Sequence, residues 1–345
     1  MWQNRWVCRS KAGKSSGPTA ELNFGPAAKH MNRTAFITGA EGFIGFHLVT
    51  FLQAQRWNVI GGYLSHDSSS FATAPGSRFV PCDLRNRQCV SELIQKFQPT
   101  HVFHLGAHSS PTLSWADPFE TFESNIMGSL NLLEATRHLK RPPIVVSACS
   151  SAEYGHVPAS ATPVTEEQPL WPLHPYGISK VCLDLLAREY FLDYRVPTIR
   201  LRLFNTTGPR KTDDAPSDFV RQLIRIKKGL QPPIIEVGNL KTRRAYLDVH
   251  DAVRGFYLVA LRGKPGEAYN LCANRIYQIR EVLGTAIRLS GMEAEIRPVP
   301  RLMRRSDEKI IFGSSRKIRE DTGWRPLNSI EHTLKSMLHY WEAVT

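Results

Sequence analysis

No stretch of this 345-residue chain stays apolar for the roughly 18 residues that a membrane-spanning helix requires. That absence excludes a transmembrane helix, and a soluble chain with no membrane partner is expected. Cysteine is sparse and scattered: Cys8, Cys82, Cys89, Cys149, Cys182 and Cys272 contain no C-x-x-C pair. A disulfide framework and a thiolate zinc site are thereby excluded, no metal is expected, and a reducing, cytoplasmic setting is implied. Acids are almost missing from residues 1–30, where Glu21 stands alone among Ser, Gly, Lys and Arg, and no apolar period is sustained. Without an apolar h-region this stretch is no secretory signal; by composition it is a disordered tail, with Met31 a candidate start just before the first strand. A recognisable nucleic-acid module is absent as well, so no nucleic-acid partner is expected. The net charge of +13 needs a reason, and either a nucleic-acid binder or an enzyme for a doubly charged nucleotide-diphosphate substrate could carry it. Hydrophobic residues make up 42% of the chain, enough for one large domain or two closely joined ones.

What is present is organised around residues 34–55, TAFITGAEGFIGFHLVTFLQAQ. Ala35-Phe36-Ile37-Thr38 is a short β-favouring run the size of a buried strand. It leads into Gly39-Ala40-Glu41-Gly42-Phe43-Ile44-Gly45, after which Ile44, Leu48 and Leu52 recur at helical spacing. Gly39 permits the tight turn, Gly42 lets the backbone approach a pyrophosphate, and Gly45 lets the helix pack closely. The helix N-terminus adds free N–H groups and a partial positive charge. A glycine triplet between a strand and a helix is far more specific than the triplet alone.

From Met31 onward strand-like and helix-like segments alternate, as in βαβ units around a parallel sheet. Trp57–Tyr63 reads as the second strand. Its end, Tyr63-Leu64-Ser65-His66, lacks the Asp or Glu that would hold the ribose of NAD, and this leans toward NADP. Arg78–Leu84 reads as a third strand whose Asp83 either accepts from an adenine amino group or caps a helix. Thr100–Ala107 reads as the fourth, with small residues at its end for close approach to a cofactor. A helix over residues 118–139 carries Asn125 on a buried face, where satisfying local backbone groups is the expected role.

The fifth strand, residues 143–147, runs into Ala148-Cys149-Ser150-Ser151-Ala152-Glu153-Tyr154-Gly155. Further on, His174-Pro175-Tyr176-Gly177-Ile178-Ser179-Lys180 opens an amphipathic helix. Tyr176 and Lys180, four apart, share one face. An ammonium near the phenol favours phenolate and lowers the Tyr pKa. The Ser150 hydroxyl at a strand end completes a donor pair for a carbonyl oxygen. Tyr-x-x-x-Lys alone is common on surface helices, and its weight comes from the company it keeps.

In order, Thr38-Gly39-x-x-Gly42-x-x-Gly45, Ser150, Tyr176-x-x-x-Lys180 and Asn205-x-x-Gly208-Pro209 resemble the extended short-chain dehydrogenase/reductase family from Met31 to the C-terminus. Arg202–Pro209, Val237–Leu240, Gly263–Asn270 and Ser306-Asp307 look like its branch acting on GDP-linked 6-deoxyhexoses. The resemblance implies a doubly wound Rossmann α/β domain over 31–204 and 243–271, and a smaller, discontinuous nucleotide-sugar domain over 205–242 and 272–345. It implies Ser150, Tyr176 and Lys180 as catalytic residues, and NADP(H) or NAD(H) as cofactor. The cofactor would be held by Gly39, Gly42, Phe43, Ile44, Gly45, Asp83, Leu84, Leu105 and Ala107 with Tyr176 and Lys180. Asn205, Arg244 and Arg304 would hold the substrate, the guanidinium forks suiting a diphosphate. A homodimer through the helices near 118–139 and 175–193 is implied as well.

Three departures from the branch bear on the chemistry. Dehydratases carry Thr-x-Glu ahead of Tyr-Gly; anchored on Tyr154-Gly155, Ser150 fills the Thr position and Ala152 the Glu position. A one-residue shift would instead use Ser151 and Glu153. Leu64 stands where many relatives have an arginine after strand two. Arg244-Ala245-Tyr246 and Arg304-Arg305 replace Arg-Asp-Phe and Arg-Pro. The expectation is reduction of the 4-keto group of a nucleotide-linked 6-deoxyhexose, with GDP-4-keto-6-deoxy-D-mannose to GDP-D-rhamnose as the specific case. Dehydration or epimerisation is the enzymatic alternative, and a basic, non-catalytic dinucleotide-binding protein the non-enzymatic one. Packing is the role expected of Trp324.

Overall fold

Strands and helices alternate through the first two-thirds of the chain, in a computed structural model describing residues 33–64, 78–303 and 312–345. The tail expected over residues 1–30 and the candidate Arg304 lie outside the described residues. The described elements begin with β1 (Thr34–Thr38), α1 (Phe43–Ala54), β2 (Asn58–Tyr63), β3 (Arg78–Pro81), α2 (Arg87–Phe97) and β4 (His101–His104). Then come α3 (Pro111–Ala116), α4 (Pro118–Phe122), α5 (Gly128–Arg137), β5 (Ile144–Ser150), α6 (Pro175–Tyr194), β6 (Thr198–Leu203) and β7 (Thr206–Thr207). The rest are α7 (Ala215–Lys227), β8 (Ile234–Val237), β9 (Arg243–Ala245), β10 (Leu247–Asp248), α8 (Val249–Arg262), β11 (Ala268–Leu271), β12 (Ile276–Gln278), α9 (Ile279–Ser290), β13 (Glu295–Pro298), α10 (Arg316–Thr322) and α11 (Ile330–Val344).

Seven parallel strands form the central sheet in the order β3-β2-β1-β4-β5-β6-β11. Strand order reverses between β1 and β4, and a crevice opens there at the carboxyl ends of the strands. Both faces are covered, as an all-parallel sheet requires. Ala35 and Ile37 pack with Leu48 and Leu52 of α1 and Val253 and Phe256 of α8. Phe36, pointing the other way, joins Val90 and Ile94 of α2 and Leu132 of α5. Each fully buried Val, Leu, Ile or Phe among them contributes about 1.5–3 kcal/mol. Trp324 is buried in the first cluster and its indole donates to Asp251 O at 2.9 Å, so packing is its role. A separate apolar cluster joins α7, α9 and α11 through residues such as Phe219, Leu283 and Leu334.

Three expected elements end or bend earlier than their composition suggests. β4 stops at His104 because the next amides, Leu105 N and Gly106 N, donate to Thr38 Oγ1 (3.1 and 2.9 Å) rather than to the ladder. β3 stops at Pro81, and Asp83 does not cap α2; Asn86 does, accepting from Cys89 N at 3.0 Å. Asp83 instead accepts from Arg85, at 3.0 Å from Nε and 2.9 Å from Nη2. The helix expected over 118–139 is interrupted by a π-turn at Glu123–Met127, a feature that often marks functional sites.

His104 links the fold to pH. It is buried between Thr38 Oγ1 (2.9 Å) and Ser129 Oγ (2.8 Å), and burial lowers its pKa to about 3, with Lys180 adding to the shift. His47 and His101 are lowered by burial to about 4. An unfolded histidine takes up its proton near pH 6.5, whereas these do not while folded. The unfolded state therefore binds more protons between those values, and stability present above about pH 6.5 is lost as pH falls. Urea titrations should show a loss approaching about 1.4 kcal/mol per pH unit from each histidine below pH 6. His104→Gln should flatten that slope by one proton; an unchanged slope would assign the acid sensitivity elsewhere.

Candidate active site

The glycine turn forms one wall of the crevice. Gly39 adopts φ 64°, and a Cβ there would lie 2.8 Å from Gly106 Cα. A Cβ on Gly45 would lie 2.0 Å from Gly39 O, so close packing of helix on turn admits no side chain. Gly42 occupies the N-cap of α1 and supplies no capping side chain. The first-turn amides are thus left for an anion, with the helix dipole behind them. Thr38 Oγ1 ties this wall to the end of β4 through Leu105 and Gly106. These features fit a dinucleotide pyrophosphate.

Opposite stands the triad read from the sequence. His174 caps α6, its Nδ1 accepting from Gly177 N at 3.0 Å, and its ring stacks on Tyr176 with centroids 5.9 Å apart. Tyr176 is thereby oriented at the first turn of α6. Ser150 ends β5, is nearly buried and lies within hydrogen-bond reach of the Tyr176 phenol. Burial pushes that phenol up to about 12, against the Ser150 bond, which pulls it down. The Lys180 ammonium donates to Ala148 O at 2.8 Å and sits 5.9 Å from the Tyr176 ring centroid. The expected lowering of the Tyr176 pKa by Lys180 is therefore not what this environment gives, since burial dominates. Lys180 itself is lowered by burial, with Cys149 and Glu153 acting against the shift. Asn125, in the π-turn, donates to Ser179 Oγ (2.9 Å) and His108 O (3.0 Å) and accepts from His108 N (2.7 Å). It satisfies backbone as expected and also braces α6 one residue before Lys180.

Behind Ser150 lies a buried ionic cluster. Asp184 of α6 accepts from Arg200 Nη1 (2.9 Å) and Arg202 Nε (2.8 Å), and Arg202 also donates to the Tyr154 hydroxyl (3.0 Å). Glu153 faces this cluster: it accepts from Ser150 N at 2.6 Å and lies 3.5 Å from Arg202 Nε. Burial and then the neighbouring Asp184 raise the Glu153 pKa well above the usual carboxylate range, while the guanidiniums keep Asp184 low against its own desolvation. Cys149, Glu153 and Asp184 bring ligand-type atoms within 4.8 Å of one another. The positive charge among them is already supplied by the two arginines. Ala152, not Glu153, lines the crevice.

The crevice is a cavity of about 950 Å³ that continues past the triad to the second apolar cluster. Every candidate among the described residues lines it: the glycine turn, Asp83, Leu84, Leu105, Ala107, Ser150, Tyr176, Lys180, Asn205 and Arg244. At the far end Arg244, on β9, donates to Arg243 O at 2.9 Å. Residues that the sequence argument passed over also line it, among them Glu41, His108, Lys211 and Phe219. Glu41 occupies one of the positions that the spacing of the three glycines leaves unspecified. Lys211 and Phe219 lie beside the Gly208-Pro209 turn and on the inner face of α7, and helical patterning marks the latter as core only.

The chain matches the GDP-mannose 4,6 dehydratase family over residues 36–337. It is similar to the GDP-6-deoxy-D-mannose reductase of Pseudomonas aeruginosa, with 29% identity covering 91% of this chain and 98% of that protein. The structure of RMD from Pseudomonas aeruginosa complexed with NADPH superposes with a TM-score of 0.79 at 28% identity, covering 91% of this chain and 100% of that one. Thermus thermophilus UDP-glucose 4-epimerase in complex with NAD superposes with a TM-score of 0.80 at 27% identity, covering 90% and 100%.

Proposed function

The chain belongs to the GDP-mannose 4,6 dehydratase family, among the extended short-chain dehydrogenases/reductases, and from that premise we propose that it reduces the 4-keto group of a GDP-linked 6-deoxyhexose, GDP-4-keto-6-deoxy-D-mannose to GDP-D-rhamnose. The observation that carries this reading is the pairing of Ser150, Tyr176 and Lys180 with Ala152, in one cavity with the glycine turn. When bound, the reduced nicotinamide supplies the hydride. The protonated Tyr176 gives its phenolic proton to the carbonyl oxygen as negative charge develops there, and Ser150 donates a second hydrogen bond to the same atom. A phenol raised to about 12 stays protonated at neutral pH, as an acid must. Lys180 holds the strand end through Ala148 O and presents its remaining N–H bonds to the nicotinamide ribose. The amides of α1 and the turn hold the pyrophosphate, with Asp83, Leu84, Leu105 and Ala107 along the dinucleotide. Asn205, Arg244 and Arg304 hold the sugar nucleotide. In this reading segments 205–242 and 272–345 serve as the sugar-nucleotide portion against a Rossmann portion over 31–204 and 243–271. Relatives bind NADPH in one structure and NAD in another, so the family alone does not choose between them.

The test is direct. Enzymatically made GDP-4-keto-6-deoxy-D-mannose and reduced dinucleotide should be consumed together, with GDP-D-rhamnose identified by NMR. Turnover to an epimer or no turnover would refute the reading. A cytoplasmic setting is consistent with the five described cysteines, all of them free. Among the described residues no helix is long and apolar enough to cross a membrane.

A homodimer belongs to the same reading. Leu113, Trp115 and Phe119 on α3 and α4 and Ile178, Leu185 and Leu192 on α6 are exposed, Phe119 to 85%, and clustered exposed apolar side chains mark association surfaces. Sedimentation at micromolar concentration is expected to give twice the 39.0 kDa chain mass, and Leu185→Glu to shift it toward monomer. A wild-type protein sedimenting only as monomer would end this idea.

A further inference from the structure

Glu41 is the only acid within the glycine turn, Gly39 to Gly45, and its side chain reaches across to the end of β2. Its Oε1 accepts from Leu64 N at 2.8 Å. Its Oε2 is buried and has no hydrogen-bond partner among the described residues. A buried carboxylate oxygen without a donor is unfavourable, and such an atom asks for the group that completes it. Both Glu41 and Leu64 line the cavity, at the strand end where the adenosine ribose of a dinucleotide lies. A ribose 2′-hydroxyl brings a donor there, whereas a 2′-phosphate brings only acceptors and negative charge.

The surroundings favour the same choice. Among the described residues of β2 and its end, Asn58 to Leu64, there is no lysine or arginine. Arg85, the basic side chain following β3 in the cavity wall, is held by Asp83 at 2.9 Å and Glu120 at 3.2 Å. We propose that Glu41 takes over, from within the glycine turn, the ribose-holding role of the missing strand-end acid, and that it selects NAD(H) against NADP(H). The inference rests on the proposed use of a nicotinamide dinucleotide and reverses the lean toward NADP drawn from the bare end of β2.

Binding of fragments without a nicotinamide tests the selection apart from turnover. In calorimetric titrations of the full chain, ADP-ribose should bind about tenfold or more tighter than 2′-phospho-ADP-ribose, as expected when one ligand meets a like charge. Glu41→Gln keeps a carbonyl for Leu64 N but removes the charge, and should narrow that ratio to about threefold or less. Glu41→Ser, with no carboxylate and little bulk, should narrow it likewise; far-ultraviolet circular dichroism and a thermal melt confirm that each variant is folded. If wild type binds the phosphorylated fragment equally or better, the selection by Glu41 is wrong while the proposed reduction stands, with NADPH. If the ratio is unchanged in both variants, Glu41 is not the selector. If neither fragment binds, the dinucleotide reading falls together with this one.

Discussion

Tyr176→Phe is expected to lower the reduction rate by about a hundred- to ten-thousand-fold, the usual contribution of a positioned general acid, while dinucleotide affinity changes little. The variant removes one hydroxyl from a ring whose place is set by other contacts. His174 stacks on it, and the α6 turn is fixed by the His174–Gly177 bond, so the ring stays where it is. Lys180 keeps its bond to Ala148 O, and the glycine turn is untouched. What is lost is a proton held by a phenol that burial has raised to about 12, and with it the partner of Ser150. Ser150→Ala should cost less, since it removes a stabilising hydrogen bond but not the transferred proton. Single-turnover reduction measured beside dinucleotide titration separates the two effects. Full turnover in Tyr176→Phe would move the acid elsewhere.

The parts of this site that the sequence made legible are those whose chemistry is local. A strand, three glycines and an apolar helical period occupy consecutive residues, and the backbone then has few ways to arrange them. Tyr176 and Lys180 are four apart on one helix, so sharing a face follows from helical pitch alone. Strand ends were less legible, because long-range bonds decide them. β4 is cut short by Thr38, 66 residues away, which takes amides that the ladder would otherwise use. The π-turn at Asn125 depends on contacts with His108 and Ser179, 17 and 54 residues distant. The phenol pKa is illegible in the sequence for the same reason: the pairing of Tyr176 with Lys180 is local, but the burial that raises the phenol comes from the whole fold. Glu41 shows the converse case, a side chain whose role depends on Leu64, 23 residues on.

GDP-mannose itself is expected to be left undehydrated. Elimination across C5–C6 requires a base for the C5 proton, and omitting such a group costs about a hundred- to ten-thousand-fold. Two residues compete for that role in the sequence, and the structure separates them. Ala152 lines the cavity, where its methyl group moves no proton. Glu153 is fully buried, accepts from the Ser150 amide at 2.6 Å and lies 3.5 Å from Arg202 Nε. Turning Glu153 into the cavity would break its bond to the Ser150 amide and expose Asp184 and Arg202 to an altered charge balance, a disturbance of a buried network that costs several kcal/mol. Burial, with the neighbouring Asp184 adding to it, also holds its pKa well above the usual carboxylate range. Incubation with GDP-mannose and oxidised dinucleotide, followed by assay for the 4-keto-6-deoxy sugar, should give no product, while the same preparation reduces that sugar when it is supplied. Substantial keto-sugar formation, lost in Glu153→Gln with folding intact, would make Glu153 the base and the chain a dehydratase.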